Sequence, residues 1–156
     1  MDVLVIEDNL DHRELIKLSL KEIGPEMHVA AAVDLTEGLW KIASKQPDCV
    51  IMDLSLTDST PDKTLRTAEQ LLQFLPVIVF SDRGERDLKE FAALVPVQFI
   101  SKVFDSNLPL KLQRSIELAN VNHKALACRC ERDKISDAAV TQVKYALQGG
   151  KTLHAT

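Results

Sequence analysis

Cysteine is scarce in this chain of 156 residues, and long apolar runs are missing. Cys49, Cys128 and Cys130 are too few for a disulfide framework and wrongly spaced for paired zinc knuckles, which points to a reducing cytoplasm. No stretch approaches the ~20 consecutive apolar residues that cross a bilayer, so no membrane-spanning helix is expected. Met1 to Asp8 has neither the basic region nor the cleavage site of a signal peptide. Positive charge is also sparse over most of the chain. Residues 1–110 carry 11 Lys and Arg against 19 Asp and Glu, a balance of −8, whereas residues 111–156 carry 8 against 4, a balance of +4. A uniformly basic nucleic-acid binder is therefore not expected. No repeat or low-complexity segment is visible.

Short apolar runs alternate with segments of helical period. Val3–Ile6, His28–Val33, Cys49–Met52, Val77–Phe80 and Val97–Ile100 read as five strands. Between them, Ile16, Leu20 and Ile23 recur at helical spacing up to the stop at Gly24-Pro25. Asp34 is placed to cap a second helix with Leu35, Leu39, Ile42 and Ala43 as its stripe. Leu65, Ala68, Leu72 and Leu75 mark a third helix, and Leu88, Phe91, Ala92 and Val95 a fourth. A fifth begins near Asn107 and buries Leu108, Leu112, Ile116 and Ala119. Five strand-then-helix repeats imply a doubly wound, five-stranded parallel sheet covered on both faces. The α/β domain takes about residues 1–120. Residues 121–156 read as a helical extension or linker, with Gly149-Gly150 ending the helix and the last residues frayed.

In an open parallel sheet, ligands gather outside the carboxyl ends of the strands. The first, third, fourth and fifth runs are followed by Glu7-Asp8, by Asp53, by Ser81-Asp82 and by Ser101-Lys102 respectively. One sheet edge should thus collect several carboxylates, a hydroxyl and a lysine. The loop Glu7-Asp8-Asn9-Leu10-Asp11 has no glycine, so it cannot cradle a nucleotide phosphate on bare backbone N–H groups, and its acids would repel one. Oxygen ligands of this kind suit Mg²⁺. A carboxylate facing a metal and a lysine can act as a nucleophile toward phosphorus, and Asp53 is the candidate.

Glu7-Asp8, Asp53 in Val-Ile-Met-Asp-Leu-Ser-Leu, Ser81 after Pro-Val-Ile-Val-Phe, and Lys102 in Phe-Ile-Ser-Lys resemble a response-regulator receiver domain of flavodoxin-like fold. The resemblance implies that Asp53 is the phosphoacceptor for a histidine kinase or a histidine phosphotransfer protein. It implies Mg²⁺ (or Mn²⁺) held by Glu7, Asp8, Asp53 and the backbone carbonyl of Ser55. It makes Ser81 the switch hydroxyl, Lys102 the phosphate-binding lysine and Phe99 the aromatic that reports occupancy. Asp82 and Arg83, just beyond the hydroxyl, would tune access. Such a chain catalyses only its own phosphotransfer and dephosphorylation, and switches protein contacts. A homodimer through the face of the fourth helix, fifth strand and fifth helix, or through the C-terminal helix, is the expected self-association.

Three positions depart from the family pattern. Asp82 replaces a small residue, Val103 replaces the proline after the lysine, and Thr57–Thr64 lacks the usual glycine. Asp82 could simply cap the fourth helix. The competing reading is a pseudo-receiver that binds proteins without phosphorylation. A small aspartyl-phosphate hydrolase is disfavoured, because Ser55 stands where its second acid would be. His12, His28, His123 and His154 have no ligand spacing and read as surface groups.

Overall fold

Continuous apolar runs become the buried strands of one sheet. The computed structural model describes residues 1–83, 90, 93 and 97–149, with side chains as far as Arg129. β1 (Asp2–Ile6), β2 (His28–Ala32), β3 (Cys49–Asp53), β4 (Val77–Ser81) and β5 (Gln98–Ser101) lie parallel in the order β2-β1-β3-β4-β5. Every residue of β3 and β4 is buried, as befits central strands covered on both faces. The register sets Ile6 beside Met52 and Asp53 beside Phe80, which brings the acid-bearing ends of β1, β3 and β4 to one edge.

The helices are α1 (Leu10–Ile23), α2 (Leu35–Ser44), α3 (Pro61–Leu71) and the long α4 (Leu108–Gly149). Each of the first three starts on a side-chain cap that accepts a backbone N–H: Asn9 from His12, Asp34 from Glu37, and Thr60 from Lys63. Pro61 follows Thr60 in the first turn, where its missing N–H costs nothing. Ile16 and Leu20 of α1 join Leu108, Leu112, Ile116 and Ala119 of α4 over Val3, Val5, Ile51, Ile78 and Phe80. Each such fully buried aliphatic side chain contributes about 1.5–3 kcal/mol. The fifth predicted helix is thus α4, with the four apolar residues expected to face the core all buried.

The second predicted stripe needs correction. Leu35 is buried, but Leu39 is 38 % exposed and Ala43 is also exposed, beside Trp40 at 73 %. Gly38 takes the inward position instead, so close to β1 that a Cβ there would lie 2.9 Å from Ile6 Cγ1. The stripe follows the residue without a side chain, because only it allows the backbone so near the sheet. Val33, expected in the second strand, falls just outside β2 and is exposed. The fourth predicted helix (Leu88, Phe91, Ala92, Val95) lies outside the described residues.

Two compact units emerge along the chain, Met1–His123 and Lys124–Thr156. No helix among the described residues is long and apolar enough to cross a membrane.

Candidate functional site

β1 ends in Ile6 and hands the chain to Glu7, which is 1 % exposed although it is an acid. A buried carboxylate needs a partner. Asn9 N–H donates to Glu7 Oε1 at 3.1 Å, and the Lys102 ammonium lies 2.7 Å from Oε2. The second contact is a buried, charge-assisted pair in which the ammonium serves Oε2 directly. Arg13 holds the backbone here from the first turns of α1, its guanidinium donating to the Glu7 carbonyl at 2.7 Å.

Asp53 closes β3 at 5 % exposure. Its Oδ2 accepts from Lys102 Nζ at 2.9 Å, and its Oδ1 accepts from Ser55 N–H at 3.2 Å. One ammonium therefore bridges Glu7 and Asp53, themselves at the ends of two neighbouring strands. Burial pushes the Glu7 carboxyl above its ordinary 4.5, and the Asp53 charge adds to the rise against the pull of Lys102. For Lys102, burial works against the charge, yet contacts to Glu7 and Asp53 outweigh it and raise its pKa above 10.5.

Glu7, half-buried Asp8 and Asp53 each offer a carboxylate oxygen, and these atoms lie within 4.8 Å of one another. Three carboxylate oxygens gathered this closely fit a hard divalent cation that keeps several waters. Ser55, exposed between buried Leu54 and Leu56, follows Asp53 in the same loop.

Ser81 ends β4 fully buried. Its carbonyl accepts from Lys102 N–H at 2.6 Å, and its hydroxyl accepts from Arg83 N–H at 3.2 Å. Asp82 is exposed and Arg83 half-buried. The helix that Asp82 could cap lies outside the described residues. Phe99 is half-buried on β5, three residues before Lys102.

Some residues of the site edge carry no sequence signal. His12 is not a plain surface group: its Nδ1 is buried, 3.7 Å from Glu7 Oε1, and its ring stacks on Phe104 at 4.8 Å. Phe104 also meets the edge of Phe80 at 5.6 Å. This aromatic contact anchors the turn after Lys102, where Val103 N–H donates to the Ser101 carbonyl at 2.9 Å. A proline at 103 could not make that bond. His123 likewise turns inward, its Nδ1 2.8 Å from the Leu72 carbonyl. Asp58 binds the start of α2, accepting from Leu35 N–H, Thr36 N–H and the Thr36 hydroxyl. These bonds hold its carboxyl below the usual carboxylate range against the opposing effect of burial.

Three acids and a lysine thus meet outside the carboxyl ends of the strands of an open α/β sheet, where such folds place their ligands. The chain belongs to the response regulator receiver domain family, whose model matches residues 3–112. It is 30% identical over 151 residues to the KDP operon transcriptional regulatory protein KdpE of Escherichia coli, covering 96% of this chain and 64% of that protein. It is 29% identical over 128 residues to a putative response regulator NtrX-like protein of Rickettsia bellii, covering 80% of this chain and 26% of that one. The chain thus spans less than two thirds of the length of these curated relatives. The fold is also that of a response regulator receiver domain protein from Clostridium thermocellum, with a TM-score of 0.65 at 24% identity over 80% of this chain and 98% of that one.

Proposed function

We propose that Asp53 accepts a phosphoryl group from a histidine kinase or a histidine phosphotransfer protein, and that the acyl phosphate switches the contacts this chain makes with other proteins. The observation that carries the reading is the Lys102 ammonium seated between Glu7 and Asp53, beside three carboxylates that converge on one point. An Asp53 carboxylate oxygen forms the new bond to phosphorus while the bond from phosphorus to the donor imidazole nitrogen breaks, and that nitrogen keeps the electron pair. Lys102 neutralises one transferred oxygen from where it now holds Asp53 Oδ2. Glu7, Asp8, Asp53 and the Ser55 backbone carbonyl would hold Mg²⁺ or Mn²⁺, which supplies charge compensation on the transferring oxygens.

Ser81 now has its hydroxyl turned to the Arg83 N–H. Donation to a phosphoryl oxygen would reorient it, and Phe99 would follow inward on β5. That is a two-state population shift driven by a local charge change. Its readouts would be the surface around β5 and the first turns of α4, or a homodimer formed there or through the C-terminal helix. The scarcity of cysteine supports a reducing, cytoplasmic setting for this chemistry.

The test is intact-mass spectrometry after incubation with acetyl phosphate and Mg²⁺. Wild type should gain one phosphoryl group, and Asp53→Asn and a metal-free control none. An unmodified wild type that also fails to bind beryllofluoride would instead favour the phosphorylation-independent module, with Asp82→Ala as the first reversion.

A further inference from the structure

The loop from Leu54 to Thr60 carries the Ser55 carbonyl, yet it contains neither glycine nor proline to set its path. Side chains set it instead. Leu54 and Leu56 are plugged into the core at 0% and 5% exposure, leaving Ser55 exposed between them. At the far end, the Thr64 hydroxyl donates to Ser59 Oγ at 2.9 Å and Thr60 caps α3. In the middle, Asp58 reaches across to α2. Its Oδ1 accepts from Leu35 N–H at 2.9 Å, and its Oδ2 accepts from Thr36 N–H at 2.9 Å and from Thr36 Oγ1 at 2.7 Å.

Those donors are the first N–H groups of a helix whose own cap, Asp34, serves Glu37 N–H. The first N–H groups of a helix have no partner within it. Here a residue 22 positions further along the chain takes two of them and a hydroxyl besides. The positive end of the helix dipole favours an anion at that place. The carboxylate therefore works as a tether between two loops at the same sheet edge, one leading into α2 and the other leaving Asp53.

We propose that Asp58 is a positioning residue for the metal site, fixing the Ser55 carbonyl by fastening its loop to the first turn of α2. This rests on the reading of Glu7, Asp8, Asp53 and Ser55 as metal ligands. It differs from that reading in assigning a role to residues that touch no ligand atom. Groups that orient ligands from outside typically affect metal affinity about 10–100-fold when removed.

Calorimetric titration of the full chain with MgCl₂ alone tests it, without any phosphodonor. Asp58→Ala should weaken Mg²⁺ binding about tenfold. Thr36→Val removes one donor and no charge, and should weaken it about two- to threefold. Asp62→Ala, which deletes a neighbouring exposed carboxylate in the first turn of α3, should stay within twofold of wild type on the same scale. Circular dichroism melts accompany each variant, and Thr36→Val decides if Asp58→Ala does not fold. Unchanged binding in Asp58→Ala and Thr36→Val overturns the tether. So does equal weakening by Asp62→Ala, which would make the effect one of bulk charge. A wild type that binds no Mg²⁺ overturns the reading of the site itself and this inference with it.

Discussion

Glu7 and Lys102 meet 2.7 Å apart with their side chains at 1% and 6% exposure, joining the end of the first strand to the end of the last. The same ammonium serves Asp53, so one cation answers two buried carboxylates. Removing one member of a buried ion pair costs about 3–5 kcal/mol, because the other is left uncompensated. Lys102→Met should therefore destabilise the metal-free chain by about 3 kcal/mol at neutral pH in urea unfolding, at the low end because Asp8 leaves the cluster partly open to water. Millimolar Mg²⁺ should return part of that loss. A variant as stable as wild type would show that the bridge contributes nothing.

The pH dependence of the bridge has a fixed sign. Lys102 has a raised pKa, so its contribution is complete below the unfolded value of 10.5 and is lost only as pH climbs through the higher folded value. The stability gap between wild type and Lys102→Met should persist to pH 10. Glu7 works the other way. Its carboxyl is raised above 4.5, so the folded chain keeps a proton that the unfolded chain releases, and stability falls as pH rises from 4.5 through the folded value. Glu7→Gln should abolish that slope and make the metal-free protein more stable at pH 7, while impairing Mg²⁺ binding. Parallel unfolding curves of wild type and Glu7→Gln from pH 4 to 7 would contradict it.

Cys49 and Cys128 should separate cleanly in alkylation. Burial pushes the Cys49 thiol up to about 12, whereas Cys128 is exposed. At pH 8 the Cys49 thiolate fraction is then about 10⁻⁴, and the strand shields it as well. Iodoacetamide with peptide mapping should find Cys128 modified in the native chain, and Cys49 modified only after unfolding. Early labelling at Cys49 would mean that β3 opens more readily than its burial allows.

Gly38→Val tests the approach of α2 to β1. The added carbons must displace Ile6, whose Cγ1 stands 2.9 Å from the Cβ position. Overpacking costs about 1–3 kcal/mol, against a helix-propensity gain below about 1 kcal/mol. A net loss of about 1–2 kcal/mol is expected by thermal unfolding. Any net gain would show that α2 can slide outward without penalty.

Glu7, Asp8, Asp53, Ser81 and Lys102 could be placed at one edge from the chain alone, because parallel strands put all their carboxyl ends together and each apolar run ends in a polar group. The helix caps at Asp34 and the buried face of α4 were equally legible, since both are local patterns. The stripe of α2 was not. Apolar spacing favours Leu39 and Ala43, whereas the distance to the sheet favours Gly38, and that distance is a tertiary quantity. Asp58 and His12 escaped for the same kind of reason. The partners of Asp58 lie 22 and 23 residues back, and the stacking partner of His12 is Phe104, on a turn beyond the last strand. No periodicity links such pairs.

The strand order β2-β1-β3-β4-β5 carries a kinetic consequence. The Glu7–Lys102 contact reaches from the end of β1 to the end of β5, with β3 and β4 lying between, and the Asp53–Lys102 contact reaches across β4. Long-range pairings of this kind form slowly, after the loops between them have been closed. A chain still emerging from the ribosome, or cut before residue 102, holds its acids without the ammonium that joins them. The bridge from the end of the first strand to the end of the last therefore waits on the two strands that lie between them.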